Sequence, residues 1–266
     1  MVEVSHLLDS VASESAMPNR RSVLVRRSRS LAICIRDRAE ANVFSAVVGV
    51  RTAGRVLALT YDDGPTPGVT EHVGSHLTVH GHFATFFVML PRAQENPSLV
   101  NELLAQGHQI GLHGLDHVRL SGLGSRELFR TLRESRAALE DLTGEPVRLI
   151  RPPYGAQSRL SYLVARAAGL EPVGWSIDPV DYRPGSLVQV SERLPRTPNP
   201  GSIVLLHDGD GEGNDGPLGD DYSRFKRDFA THTTNWLAQT GMRSLTLDSM
   251  MHQFPAVTAR WVRGNG

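Results

Sequence analysis

From Arg55 onward the chain alternates short apolar runs with segments of helical periodicity. Repeated βα units of this kind confine a chain to a parallel sheet covered by helices, here expected to close on itself. Strands are expected over 56–60, 82–89, 109–112, 147–150, 172–177, 203–206 and 243–247. A first helix is expected over 67–80, with Thr66 as N-cap and Pro67 at the first helical position. Further helices are expected over 97–106, ended by Gly107, over 160–168, closed by Gly169, and over 186–194 and 222–239. The clearest spans 125–143, where Leu128, Leu132, Leu139 and Leu142 lie near one face and Gly144 follows.

The chemistry gathers where apolar runs end. Val56-Leu57-Ala58-Leu59 reads as a buried strand that runs into Thr60-Tyr61-Asp62-Asp63 and stops at Gly64-Pro65. Adjacent carboxylates repel, and burying both as anions is costly. A bound cation relieves that cost by taking one as ligand and leaves the other to serve as a general base. About fifty residues on, Ile110-Gly111-Leu112-His113-Gly114-Leu115-Asp116-His117 carries two imidazoles at i and i+4, a spacing that places both on one face of a helix or helical turn. Two neutral histidines and a carboxylate make a facial three-ligand site with a position open for water or substrate. Taken alone, the histidine pair reads more readily as two surface or capping residues, and it gains meaning from the Asp-Asp strand end that precedes it.

Three further segments follow in order: Arg151-Pro152-Pro153-Tyr154-Gly155, Trp175-Ser176-Ile177-Asp178-Pro179-Val180-Asp181-Tyr182, and Ile203-Val204-Leu205-Leu206-His207-Asp208. With the first two segments they resemble, in order and approximate spacing, the five motifs of the polysaccharide deacetylase family (the NodB-homology domain, carbohydrate esterase family 4). The resemblance covers residues 53 to 250 and implies an α/β fold, a distorted (β/α) barrel of about seven parallel strands. It implies that Asp62 is the general base that deprotonates the attacking water, and that Asp63, His113 and His117 hold a divalent metal. Arg151 resembles the arginine paired with the base. The backbone N–H of Tyr154 resembles an oxyanion donor, Leu205 the lining of the acetyl pocket and His207 the general acid. Asp181 is similar to the carboxylate that keeps that histidine protonated, and Tyr182 occupies the aromatic wall of the substrate groove. The sequence departs from the family pattern in three places. Gly114 stands where Ser or Thr usually follows the first metal histidine, which loosens ligand positioning without removing a ligand. Tyr182 replaces the usual Trp, and Tyr61 the commoner Phe.

The activity implied is metal-dependent removal of acetyl groups from N-acetylglucosamine-containing glycans of polysaccharide, chitooligosaccharide or peptidoglycan type. The metal is expected to be Zn²⁺, with Co²⁺ or Mn²⁺ as alternatives, because a mixed imidazole and carboxylate set accepts several ions. A competing reading is a metal-dependent hydrolase of a small non-sugar amide or cyclic imide on the same fold. Another is a non-catalytic carbohydrate-binding relative, which the presence of Asp62, Asp63, His113, His117 and His207 disfavours.

Formal net charge is zero, which gives no support to binding of nucleic acid or an anionic membrane. The single cysteine, Cys34, precludes an intrachain disulfide. Residues 1–52 read as a basic, poorly ordered tail in which Arg20, Arg21, Arg26, Arg27, Arg29, Arg36 and Arg38 crowd together, and 251–266 as a C-terminal tail. The apolar runs 31–35 and 43–50 are too short to span a bilayer. With no convincing export signal, a cytoplasmic location is expected, or an extracytoplasmic one if the start is misassigned. The Gly- and Asp-rich stretch 208–221 does not match an EF-hand pattern and is expected to form an acidic loop beside the site mouth.

Overall fold

The computed structural model describes residues 44–115, 117–183, 186–210 and 219–261. Most of the basic N-terminal segment, Asp116 and the centre of the Gly/Asp-rich stretch therefore lie outside the described residues.

Seven parallel strands form the main sheet: β2 (Val56–Asp62), β3 (Ala84–Met89), β4 (Gln109–Gly114), β5 (Leu149–Ile150), β6 (Glu171–Pro172), β7 (Ile203–His207) and β8 (Arg243–Ser244). Their order is β6-β5-β4-β3-β2-β7, with β8 paired to the start of β2 at Val56 and Leu57. The crossovers carry α1 (Thr70–Val79), α2 (Leu90–Glu95), α3 (Pro97–Ala105), α4 (Ser125–Thr143), α5 (Arg159–Ala167), α6 (Leu187–Ser191) and α7 (Asp220–Thr240). After β8 come α8 (Leu247–Gln253) and β9 (Ala256–Arg260), which pairs antiparallel with β1 (Ser45–Val50).

The period-2 alternation of the strands explains how the core divides. Leu57, Leu59 and Tyr61, with Phe86, Val88, Ile110, Leu112, Val204 and Leu206, pack in the larger apolar cluster with the helices. The intervening Ala58, Phe87, Leu149 and Ile203 join a smaller cluster with Leu247 and Met250 of α8. Thr60 and Asp62, Leu205 and His207 continue that second face toward the C-terminal strand ends, so the polar residues share an end of the sheet with one another and not with the helices.

Among the described residues, no regular strand joins β6 to β7. Instead the chain beyond β6 completes the hydrogen-bonded circuit: Ile177 N–H donates to Ile203 O (3.0 Å), and Leu205 N–H donates to Ile177 O (2.9 Å). β1 straps the same gap, since Gly174 N–H donates to Val47 O (2.8 Å) and Val50 N–H to Gly201 O (2.9 Å). The distorted barrel expected from the sequence is therefore present, as a curled parallel sheet closed by irregular chain.

Several expectations need correction. Residues 45–50, assigned to the tail, form a buried strand, and 256–260, also assigned to a tail, form its partner. The first helix begins at Thr70 and not at Pro67, because Gly68 takes a left-handed φ of 81°. Thr66 contributes its carbonyl to the N–H groups of Val69 and Thr70, and its side chain caps nothing. The strands expected at 147–150, 172–177 and 243–247 shrink to two-residue ladders, and α2 and α8 were not anticipated. None of the described helices is long and apolar enough to cross a membrane.

Gly201 is where the strap can be tested. Its φ is 80°, and an added Cβ would lie 2.1 Å from Val50 O. Gly201→Ala is expected to destabilise the protein by about 2 kcal/mol or more, measured as a lower urea midpoint with no change of slope.

Candidate active site

The sequence places Asp62 and Asp63 where β2 stops, and the backbone turns them apart. Asp62 is still on the strand, paired with Phe87 and His207. Asp63 takes φ 77°, which Asp tolerates better than most residues. Arg92, on α2, holds that turn by donating to Asp63 O (2.8 Å) and pairing with Asp210 (2.7 Å).

The two histidines meet Asp63 without a helix. His113 is on β4, and the chain bends through Gly114 at φ 127° and His117 at φ 50°. The expected helical presentation of the pair is thus replaced by a strand end and a turn, because the register of β4 extends through Gly114. The outcome is convergent all the same: Asp63 Oδ1 lies 3.0 Å from His113 Nε2 and 3.3 Å from His117 Nε2. Ligand atoms of the three residues lie within 4.8 Å of one another.

This trio fits a divalent cation. Asp63 Oδ1 is buried and makes no hydrogen bond of acceptable geometry, although two ring nitrogens crowd it. Lone pairs that converge without a shared proton are what a cation between them would satisfy. Burial alone would push the Asp63 carboxyl up, but the imidazoles of His113, His207 and His117 around it hold it well below the usual carboxylate range. Burial is also the main reason His117 is pushed down, toward the neutral form that ligates metals.

Arg151 stands behind Asp62. Nη1 donates to Asp62 Oδ1 (2.8 Å) and to Thr60 Oγ1 (2.7 Å), and Nη2 donates to Gly174 O (2.9 Å). The guanidinium is fully buried over the Phe87 ring, with Trp175 nearby. On the other side, His207 Nδ1 lies 2.7 Å from Asp181 Oδ1, and the His207 backbone N–H donates to Asp181 Oδ2 (3.0 Å). Burial would push the His207 imidazole down, but the charge and hydrogen bond of Asp181 carry it above its ordinary value. Asp181 itself, though burial works the other way, is lowered to about 2 by Lys226 and His207.

Lys226 was not anticipated. Its Nζ lies 2.8 Å from Asp181 Oδ2 and 3.1 Å from Asp181 O, with both side chains almost wholly buried. Nothing local marks it, since its partner is 45 residues away and it sits on α7 between Phe225 and Phe229. Thr60, Trp175 and Arg92 were likewise missed as site residues.

Asp62, Asp63, His113, His117, Tyr154, Tyr182, Leu205 and His207 all line one cavity of about 350 Å³, together with Trp175 and Asp178. Arg151 and Asp181 support it from behind. Tyr154 (φ 60°) rests its ring 4.3 Å from that of His117, and Tyr182 sits edge-on 5.0 Å from His207. At 54% and 43% exposure, the two tyrosines offer aromatic surface at the cavity rim. A larger cavity of about 700 Å³ lies elsewhere, between α6 and α7, and contains none of these residues.

Known proteins resemble this chain in sequence and in fold. Residues 49–173 match the family model described as polysaccharide deacetylase. The chain is 39% identical over 152 residues to a chitooligosaccharide deacetylase of Sinorhizobium fredii, an alignment covering 57% of this chain and 71% of the relative. It is 35% identical over 163 residues to a peptidoglycan-N-acetylglucosamine deacetylase of Bacillus cereus, covering 60% and 75%. Among solved structures it resembles a peptidoglycan N-acetylglucosamine deacetylase in complex with 4-naphthalen-1-yl-N-oxidanyl-benzamide, with TM-score 0.67 and 28% identity over 76% of this chain and 91% of that one. This chain belongs to the polysaccharide deacetylase family, and the family together with the Asp63, His113 and His117 cluster supports a divalent metal.

Two outcomes follow from the buried charges. Lys226→Met leaves Asp181 without its cation and is expected to cost about 3 kcal/mol, read by urea unfolding, with the Asp181→Asn/Lys226→Met double variant recovering part of the loss. Asp208 is raised from 3.8 to about 7, first by burial and then by Asp63 and Asp62, against a hydrogen bond from Thr70. A carboxyl raised on folding stabilises fully below its unfolded value, and that contribution is lost as pH rises through the folded value. In chelator-treated protein, Asp208→Asn is therefore expected to flatten the decline of Tm between pH 4 and pH 7.

Proposed function

We propose that this protein is a metal-dependent hydrolase that removes the N-linked acetyl group from N-acetylglucosamine units of a glycan and releases acetate. The observation that carries this is the arrangement inside one cavity: a carboxylate held by Arg151, a histidine held by Asp181, and the Asp63, His113 and His117 cluster.

Amide hydrolysis needs a nucleophile, a place for the developing oxyanion and a proton for a poor leaving group. Asp63, His113 and His117 would hold a divalent ion, proposed as Zn²⁺ with Co²⁺ or Mn²⁺ as alternatives, which when bound would lower the pKa of a bound water to about 7 and polarise the carbonyl. Asp62 gives Oδ1 to Arg151 and keeps Oδ2 on the side of His113 (3.8 Å from its Nδ1), placed to take the proton of the attacking water. As the water oxygen bonds to the acetyl carbon, the N–H of Tyr154 is the donor for the oxyanion that develops. His207 is tethered through Nδ1, so Nε2 is the atom that protonates the amide nitrogen as the C–N bond breaks. The charge and hydrogen bond of Asp181 let His207 hold that proton to higher pH than a free imidazole does. Leu205 supplies an apolar surface for the methyl group, and Tyr154 and Tyr182 supply the rim on which a sugar ring can stack.

The test is acetate release from chitooligosaccharides, a peptidoglycan fragment and single N-acetylglucosamine glycosides, with chelator and with added Zn²⁺ or Co²⁺. Metal-dependent release is expected. Asp62→Asn and His207→Asn should each lower kcat by about a hundredfold or more with metal content unchanged, whereas His113→Ala should lose the metal. Metal-loaded protein that releases no acetate from any of these sugars would overturn the reading in favour of a small-amide or imide substrate.

A further inference from the structure

A second cluster of imidazoles lies on α1, away from the cavity. His72, His76 and His80 recur every four residues, so they stack along one face of the helix and its end. The rings of His76 and His80 are 4.4 Å apart centre to centre, and those of His72 and His76 are 6.0 Å apart.

The hydrogen bonds of the closer pair fix its tautomers. His80 Nδ1 lies 2.8 Å from the carbonyl oxygen of His76, which can only accept, so Nδ1 carries the proton and Nε2 keeps its lone pair. His76 Nε2 lies 2.9 Å from Thr234 Oγ1. The Thr234 hydroxyl already donates its one proton to Thr231 O (3.0 Å), so it accepts from His76 Nε2–H, and Nδ1 of His76 keeps its lone pair. Each ring therefore anchors its N–H on a protein oxygen and presents the other nitrogen bare, the disposition that metal-ligating histidines adopt. Burial first, and then the neighbouring His80, His72 and His82, push His76 down toward the neutral form that can ligate.

We propose that His76 and His80 form a second metal site, for a borderline divalent ion such as Zn²⁺, Ni²⁺ or Cu²⁺, bound through the two nitrogens their hydrogen bonds leave free. Water completes the coordination, and His72 lies one turn too far along the helix to share the same ion. Such an ion would tie the last turn of α1 to the chain beyond it while Thr234 secures α1 to α7. The site is independent of the catalytic reading and stands or falls without it.

The full chain carrying His113→Ala and His117→Ala, which removes the cavity cluster, is titrated calorimetrically with Ni²⁺ and with Cu²⁺. One equivalent is expected to bind, with Cu²⁺ showing nitrogen hyperfine structure from two imidazoles. Adding His76→Gln and His80→Gln should weaken that binding at least tenfold, with circular dichroism unchanged, and adding Thr234→Val instead should weaken it a few-fold. In the otherwise unaltered chain, His76→Gln/His80→Gln should leave acetate release as it was. Equal affinity with and without His76 and His80, or no ion bound by the first variant, would overturn the proposal.

Discussion

Everything at the strand ends depends on how one buried guanidinium is satisfied. Arg151 has no exposed surface and is the largest of the fully buried side chains. A cation in that position is tolerated only when it is paired and its donors are used. Its partners are spread over separate parts of the chain: Thr60 and Asp62 on β2, and the carbonyls of Val173 and Gly174 beyond β6. β5 and β6 are only two residues long, too short to fix the geometry by ladder hydrogen bonds. The planar fork of Arg151 does so in their place, and a lysine could not, since its point charge lacks the directions needed. The position of Asp62 is a consequence of that packing.

The charge balance around the cavity leaves Asp63 without a cation of its own from the described residues. Asp62 is paired with Arg151, Asp181 with Lys226, and Asp210 with Arg92. Asp208 is pushed up to about 7 by burial and by Asp63 and Asp62, so near neutrality it keeps part of its proton and carries less than a full negative charge. Asp63 is faced by two imidazoles that are neutral in the form that ligates, and its charge is left to be balanced from outside the chain. The same pairing separates the acid and the base. Asp62 accepts from the Arg151 guanidinium, while the charge and hydrogen bond of Asp181 carry the His207 imidazole above its ordinary value.

What could be read from the sequence was what depends on local pattern. Alternation of apolar residues placed Asp62, Arg151 and His207 at or just past strand ends, and the five motifs supplied the rest of the cavity. The i, i+4 histidine spacing picked out a pair that the structure brings together on Asp63, through a different geometry from the one expected. A helical face and a strand that bends at Gly114 bring the same pair together, and only the pairing of β4 with β3 distinguishes them. Lys226 was invisible because its charge is matched across 45 residues of chain, and on its own helix it looks like a residue among aromatics. β1 and β9 failed for a related reason. They pair with each other across the whole length of the domain, and β9 is exposed at each of its residues, so no burial pattern marks it.

The irregular closure of the barrel and the shape of the cavity are two aspects of one arrangement. A regular strand between β6 and β7 would continue the alternation and fill the interior with side chains, as closed barrels do. Here the chain from Val173 to Ile177 crosses that gap with only partial pairing, and Trp175 turns into the cavity wall. That crossing is backed by Trp261, which meets Trp175 edge-on at 4.8 Å and donates from Nε1 to Gly155 O (3.1 Å). Trp261 directly follows β9, so the small antiparallel sheet does more than strap the barrel. It places an indole behind both the segment that holds Arg151 and the turn that carries Tyr154. The rim residues Tyr154 and Tyr182 can remain exposed because the chain around them is braced by this outer packing and by Arg151 within.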